Sequence, residues 1–151
     1  VRRARPDDLE AIVRLRLALV TAEGRRARGR PGEAWAAAHE LTRRQLTVRS
    51  APFFVATDCG RVVGLVRVAA TRGSPITRDP DYGTLTTAYV APGYRRRGIM
   101  RHLVSRVLAW CSTHGLAEVR LRCDTRNALG NAAWDALGFS AVAIVRSRRV
   151  R

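Results

Sequence analysis

The chain has 151 residues, with 28 basic side chains against 12 acidic ones and a formal charge of +16; every basic residue is an arginine. A chain of this length is expected to form one domain over residues 1–151, with a core large enough to need no disulfide or metal. Hydrophobic content of 46% with 26% charged residues excludes wholesale disorder, and no apolar run reaches the ~18 residues of a membrane span.

In chain order, Val1 to Arg5 reads as a short strand, and Pro6-Asp7-Asp8 opens a helix whose first acids complement its dipole. Leu9, Ile12, Val13, Leu17 and Val20 recur at helical spacing, which places Arg14 and Arg16 among the outward positions. Gly24 to Gly32 is an arginine-glycine loop carrying Arg25, Arg26, Arg28 and Arg30, and a second helix is expected from Glu33 to about Val48. Phe53 to Ala56 and Val62 to Ala70 read as strands joined by the Asp58-Cys59-Gly60-Arg61 hairpin turn. Arg72 to Tyr82 has the prolines and aspartates of a surface loop, and Thr84 to Val90 is a β-branched and aromatic strand that Ala91-Pro92-Gly93 ends.

Tyr94-Arg95-Arg96-Arg97-Gly98-Ile99-Met100 then runs into a helix striped by Ile99, Leu103, Val107 and Trp110 and widened by Met100, Val104, Leu108 and Cys111. Gly115 closes that helix, Val119 to Cys123 alternates as a strand, and Asn127 to Leu137 is a further helix closed by Gly138. Phe139 to Val145 is expected to be a last strand. The order βααβββαβαβ predicts an α/β domain with helices on both faces of one sheet.

Basic excess is an electrostatic footprint of phosphate binding. Here, however, the arginines run from Arg2 to Arg151 in a composition rich in Ala and Gly, as GC-rich codons give. Coding bias therefore accounts for most of the charge, and nucleic acid is expected only as a non-specific electrostatic partner. The informative cluster is Arg95-Arg96-Arg97. Cations oppose the dipole at a helix start, and a bound anion reverses that sign. Gly98 lets a backbone approach an anion closely.

The stretch Val90 to Ile99 resembles the acetyl-CoA motif of the GNAT superfamily of N-acetyltransferases, R/Q-x-x-G-x-G/A at a strand–helix junction. Asn127, Trp134 and Gly138-Phe139 follow at the family's spacing, with Trp134 where tyrosine is usual, and Arg2 to Leu17 is similar to the family's opening elements. The resemblance implies a mixed, mostly antiparallel sheet and acetyl transfer from acetyl-CoA, as co-substrate, to a small-molecule or peptide amine by direct attack in a ternary complex. It also implies that Arg95, Arg96, Arg97, Gly98, Ile99 and Met100 wrap the CoA pyrophosphate and that Arg101 assists. Val90 would offer main-chain groups to the pantetheine arm and the acetyl carbonyl, Asn127 would bond the pantetheine, and Trp134 would pack near the thiol.

Two positions depart from the family pattern. Met100 stands where Gly or Ala is usual, and its helical spacing with Val104 and Leu108 directs it into the apolar stripe. Trp134 cannot serve as an acid at neutral pH, because indole offers only an N–H donor. Thr84 to Tyr89 carries no carboxylate, and Arg122 stands where some members have a glutamate. Asp81, Asp124 and Tyr89 are conceivable bases but read as structural, as do His39 and His102, so no base or acid is assigned. Cys123 alternates with Leu121 as a buried strand residue rather than a nucleophile. The odd, widely spaced cysteines favour a reducing cytoplasm over a disulfide scaffold or zinc site, and the chain is expected to be a monomer or homodimer with no membrane partner. The alternative reading is a GNAT-like CoA- or nucleic-acid-binding protein without efficient turnover.

Overall fold

A computed structural model describes residues 1–27 and 29–150. Arg28, one of the arginines of the Gly24–Gly32 loop, lies outside the described residues. The elements are β1 (Arg2–Arg3), a 3-10 turn at Pro6–Asp8, α1 (Leu9–Ala22), α2 (Pro31–Leu46), β2 (Phe53–Asp58), β3 (Arg61–Thr71), β4 (Tyr82–Val90), a second 3-10 turn at Pro92–Tyr94, α3 (Ile99–Thr113), β5 (Val119–Leu121) and α4 (Ala128–Asp135). The α2 helix starts two residues before the expected Glu33 because Pro31 occupies its first turn, where a missing N–H costs nothing.

The sheet order is β1-β2-β3-β4-β5. The first three pairings are antiparallel and β4–β5 is parallel. Period-2 alternation in β2 and β3 sends apolar side chains to both faces, and each face has its own cover. Phe54, Val63, Val66 and Val68 pack with Leu103, Val107 and Cys111 of α3 on one side. Phe53, Val55, Val62 and Leu65 pack with Ile12 of α1, and with Leu46 at the end of α2, on the other. Burying such side chains contributes roughly 1.5–3 kcal/mol each, so the two layers fix where the ends of β4 and α3 lie.

The expected strand Phe139–Val145 is not formed: no strand occurs between Phe139 and Val150. Val142, Ile144 and Val145 are 78%, 75% and 66% exposed. The segment reads FSAVAIV, apolar at both parities, so no alternation fixes a buried face. Its nearest template, β5, is only three residues long. Arg16 also departs from expectation. It is half-buried against α2, where its Nη1 donates to Thr42 Oγ1 at 2.8 Å and Gln45 Oε1 at 2.7 Å.

Candidate active site

The parallel pairing between β4 and β5 is short: Gly83, Thr84 and Leu85 face Val119, Arg120 and Leu121, and there it stops. β4 continues to Val90 with no strand beside that edge. The register between β3 and β4 shifts at the same point. Arg67 faces Thr87 and Val68 faces Leu85, so Thr86 is the extra residue of a bulge. Beyond Leu85 the edge of β4 is thus unpaired among the described residues, and this gap in the sheet is the cleft that the last residues of β4 line.

Hydrogen-bond parity sets what β4 presents there. The Ala91 N–H donates to the Val63 carbonyl at 2.9 Å. Adjacent residues in a strand alternate direction, so the Val90 N–H and C=O point away from β3 and into the cleft. The Val90 carbonyl accepts from Arg95 Nε at 3.0 Å. Val90 therefore offers the cleft its N–H, while its carbonyl serves the turn that follows.

That turn is built for an anion. Arg95 is extended (φ −69°, ψ 160°), Arg96 is left-handed at φ 61°, and Gly98 is left-handed at φ 75°. Alternation of this kind turns successive amides toward one concavity. Among the described residues, the N–H groups of Arg96 through Arg101 have no acceptor; the first closed turn of α3 is His102 N–H to Gly98 O at 3.1 Å. No acid stands in the first turn of α3, and none among the described residues pairs with Arg95, Arg96 or Arg97. The dipole end, the unpaired amides and the uncompensated guanidiniums all carry the same sign. The arginine side chains are partly committed: Arg95 lies over the Tyr89 ring at 5.4 Å and Arg97 over Tyr94 at 5.6 Å. The donor set fits a diphosphate held mainly by backbone.

Met100 and Ile99 pack against the α3 core layer, so the side chain at the departing position turns inward and leaves the concavity clear. Arg101 is exposed on the following turn. A depression of about 510 Å³ adjoins Tyr94, Arg97, Ile99 and His102 on the side of β2 and β3, away from the cleft.

The residues expected around the thiol lie beyond β5. Asn127 caps α4, its Oδ1 accepting from Gly130 N–H at 2.9 Å, and its amide nitrogen is free to donate to a ligand. Trp134 meets Phe139 edge-to-face with centroids 5.4 Å apart. Burial pushes the Cys123 thiol up, with Asp124 and then Glu23 adding to it. A thiol held protonated is a poor nucleophile.

The conceivable bases have structural partners. Asp124 is held at about 2 by Arg126, Asp81 accepts from Gly73 N–H at 2.9 Å, and Tyr89 is buried beneath Arg95. His39 Nε2 meets Glu10 at 3.1 Å across α1 and α2. Sequence reasoning missed a different group: Arg16 and Arg67 both lie against Phe53, at 5.8 and 5.5 Å from its ring centroid. The signal was available in Arg67, a charged residue amid an otherwise apolar strand run, Val62 to Ala70.

A sheet split beside an amide-lined helix start defines an α/β protein whose donors fit a diphosphate-bearing co-substrate. Residues 20–139 match the acetyltransferase (GNAT) family, and the chain belongs to it. That family takes acetyl-CoA as co-substrate. A curated relative, aminoglycoside N(6')-acetyltransferase type 1 of Acinetobacter genomosp. 13, is 38% identical over 72 residues, covering 48% of this chain and 45% of the relative. The matched stretch thus spans less than half of that relative's length. Among solved structures, an aminoglycoside N-acetyltransferase AAC(6')-Iy in complex with CoA superposes with a TM-score of 0.79 at 23% identity, covering 99% of this chain and 93% of that one. The aminoglycoside 6'-N-acetyltransferase AAC(6')-Ih from Acinetobacter baumannii gives a TM-score of 0.79 at 18% identity, over 99% and 95% of the two chains. At these identities the superpositions establish the fold.

Proposed function

We propose that the chain transfers an acetyl group from acetyl-CoA to the amine of a small molecule, by direct attack in a ternary complex. The observation that carries this reading is the row of unpaired amides from Arg96 to Arg101, together with the Val90 N–H at the open edge of β4. The amides and Arg96, Arg97 and Arg101 hold the pyrophosphate, and the Asn127 amide and Trp134 flank the pantetheine arm. The Val90 N–H stabilises the charge that grows on the thioester oxygen as the amine attacks, a donor already in place and costing no reorganisation. Cys123 stays out of the chemistry, since its thiol is pushed up, and a thiolate leaving group departs without a dedicated acid. Solvent serves as the proton acceptor, because the carboxylates within the described site have structural partners.

The relatives above are named for aminoglycosides, which are polycations. This chain brings a formal charge of +16 and a basic loop beside α2, and a polycationic acceptor would be repelled. The acceptor is therefore a neutral or acidic amine. No helix of the described residues is long and apolar enough to cross a membrane, and free Cys59, Cys111 and Cys123 suit a reducing cytoplasm.

Thiol release measured with a broad panel of amines tests the proposal, alongside the melting temperature with and without acetyl-CoA. Release above the hydrolysis background supports it; no acetyl-CoA binding at millimolar concentration overturns it. Binding without turnover on any amine would favour the second reading, a CoA-binding protein, which rests on the absence of a carboxylate on β4 and on Trp134. Nucleic-acid association that falls steeply with salt and shows no sequence preference would be only a consequence of net charge.

A further inference from the structure

We infer that Arg16 and Arg67 form an anion-recognition site beside the strand where acetyl transfer is proposed, so that the amine acetylated also carries a carboxylate. This deepens the acetyl-transfer reading and rests on it. Arg16 comes from α1 and Arg67 from β3, and their guanidiniums converge on Phe53, which is 1% exposed. No carboxylate among the described residues pairs with either one. Burial pulls both below the ordinary arginine range, and for Arg16 the nearby Arg67 charge adds to that.

Their hydrogen bonding is incomplete. Arg16 spends only Nη1, on Thr42 and Gln45. Arg67 Nη1 donates to Thr86 Oγ1 at 3.3 Å, and its Nε is buried with no partner at all. The unpaired buried donor on Arg67 is costly, and the neighbouring Arg16 charge adds to that cost. The Phe53 ring offsets part of this through its π face, but it cannot accept the remaining N–H groups in their planar fork. A carboxylate can meet the Nη2 groups of the two arginines, which have no partner among the described residues and are not closed off as the Arg67 Nε is.

The position gives the site its role. Thr86, which Arg67 touches, is the bulged residue of β4 and the first beyond the β4–β5 pairing. The anion site therefore lies on the α1/α2 face, alongside β4 and three residues before Val90, where acetyl transfer is proposed. Arg67 faces Thr87 while Gly64 faces Val90, three residues or ~10 Å further along the strand, so an acceptor reaching from Arg67 to the Val90 N–H has its carboxylate several bonds from its amine. Amino carboxylates with a short spacer have that shape; aminoglycosides have no group for this pair.

The test uses the acetyl-CoA-loaded protein and a series of amino carboxylates from glycine to 6-aminohexanoate, with aspartate and glutamate, each against its carboxamide. Melting temperature and isothermal titration report binding whether or not turnover follows. The expected result is stabilisation by at least one carboxylate with its carboxamide bound at least ~10-fold more weakly, the effect of losing one charge-assisted contact. Arg67→Gln should abolish that preference while keeping the acetyl-CoA shift, and Arg67→Lys should restore only part of it. Should Arg67→Gln fail to fold, Arg16→Gln and the wild-type carboxylate-to-carboxamide comparison decide alone. Equal binding of both series, or no binding of any carboxylate, overturns the inference. Loss of the acetyl-CoA shift itself in the wild-type protein would instead overturn the acetyl-transfer reading.

Discussion

The side chain of Arg95 reaches back five residues and donates from Nε to the Val90 carbonyl at 3.0 Å. One bond thus fastens the basic turn to the end of the strand it follows. The same guanidinium lies over the Tyr89 ring, so Arg95 sets the spacing between the cleft donor at Val90 and the amides of the turn. Arg97 contributes charge from an exposed position.

These different placements separate two variants. Arg95→Ala should lower stability by about 1–2 kcal/mol, from the lost charge-assisted bond and cation–π contact, and should weaken acetyl-CoA binding as well. Arg95→Lys should not restore it, since an ammonium has no planar fork to span carbonyl and ring together. Arg97→Ala should weaken acetyl-CoA binding with stability nearly unchanged. Titration calorimetry and thermal melts on the three variants check this; equal melting losses for Arg95→Ala and Arg97→Ala would refute it.

Gly98 caps α3 at φ 75°, and a methyl group added there would meet nothing closer than His102 Cε1 at 3.9 Å. Space is available, so the cost of Gly98→Ala is conformational, about 1 kcal/mol. The methyl would also stand at the mouth of the amide row and weaken acetyl-CoA binding. Gly93→Ala is the control: it has open space and no left-handed φ, and should be near neutral in both measurements. A Gly93→Ala loss as large as that of Gly98→Ala would place the effect in the turn as a whole.

The anion turn was legible in the sequence because its signal is local: a strand, a break, three arginines, a glycine and an apolar helical stripe. The two core layers were legible for the same reason, through the parity of Phe53, Phe54 and Val55 against α1 and α3. Arg16 was misplaced outward because helical periodicity registers charge and not the partner that receives it; Thr42 and Gln45 lie on another helix. The segment from Phe139 has strand composition, yet composition does not supply an edge to pair with. The bulge at Thr86 depends on a register between two strands, which neither strand displays alone.

Arg2 and Asp8 form a two-pronged ion pair, Nη1 to Oδ2 at 2.7 Å and Nη2 to Oδ1 at 2.8 Å, and the Arg5 N–H adds a third donor at 2.7 Å. The Arg2 hydrogen bonds hold the Asp8 carboxyl below the usual range, against the opposing effect of burial. A depressed folded pKa contributes stability that is present above the unfolded value and lost as pH falls through the folded one. Stability should therefore be level above about pH 5 and fall below about pH 4. Asp8→Asn should lower it by about 1–3 kcal/mol at neutral pH, the outer partner being part-exposed and screened. It should also flatten the acid limb, as read from urea melts between pH 3 and pH 7. An unchanged acid limb in Asp8→Asn would assign it to other carboxylates.

Gly83 tests the packing that places β4 over α3. It pairs with Val119 where the β4–β5 pairing begins, and a Cβ there would lie 2.6 Å from Cys111 Sγ and 3.2 Å from Val68 Cγ2. Cys111 is buried, with its thiol pushed up by that burial, so it cannot swing into solvent to relieve the overlap. Gly83→Ala should cost about 1–3 kcal/mol, the range for overpacking a filled core. The principal obstacle is one sulfur atom, so Cys111→Ala should rescue it. The single Cys111→Ala change opens a small void and is itself destabilising, while in the double variant the new methyl occupies part of that void. A double-mutant cycle by denaturant melts should then give a favourable coupling of at least ~0.5 kcal/mol. Additive losses would mean that Val68 or the β4 backbone, rather than Cys111, sets the limit at this position.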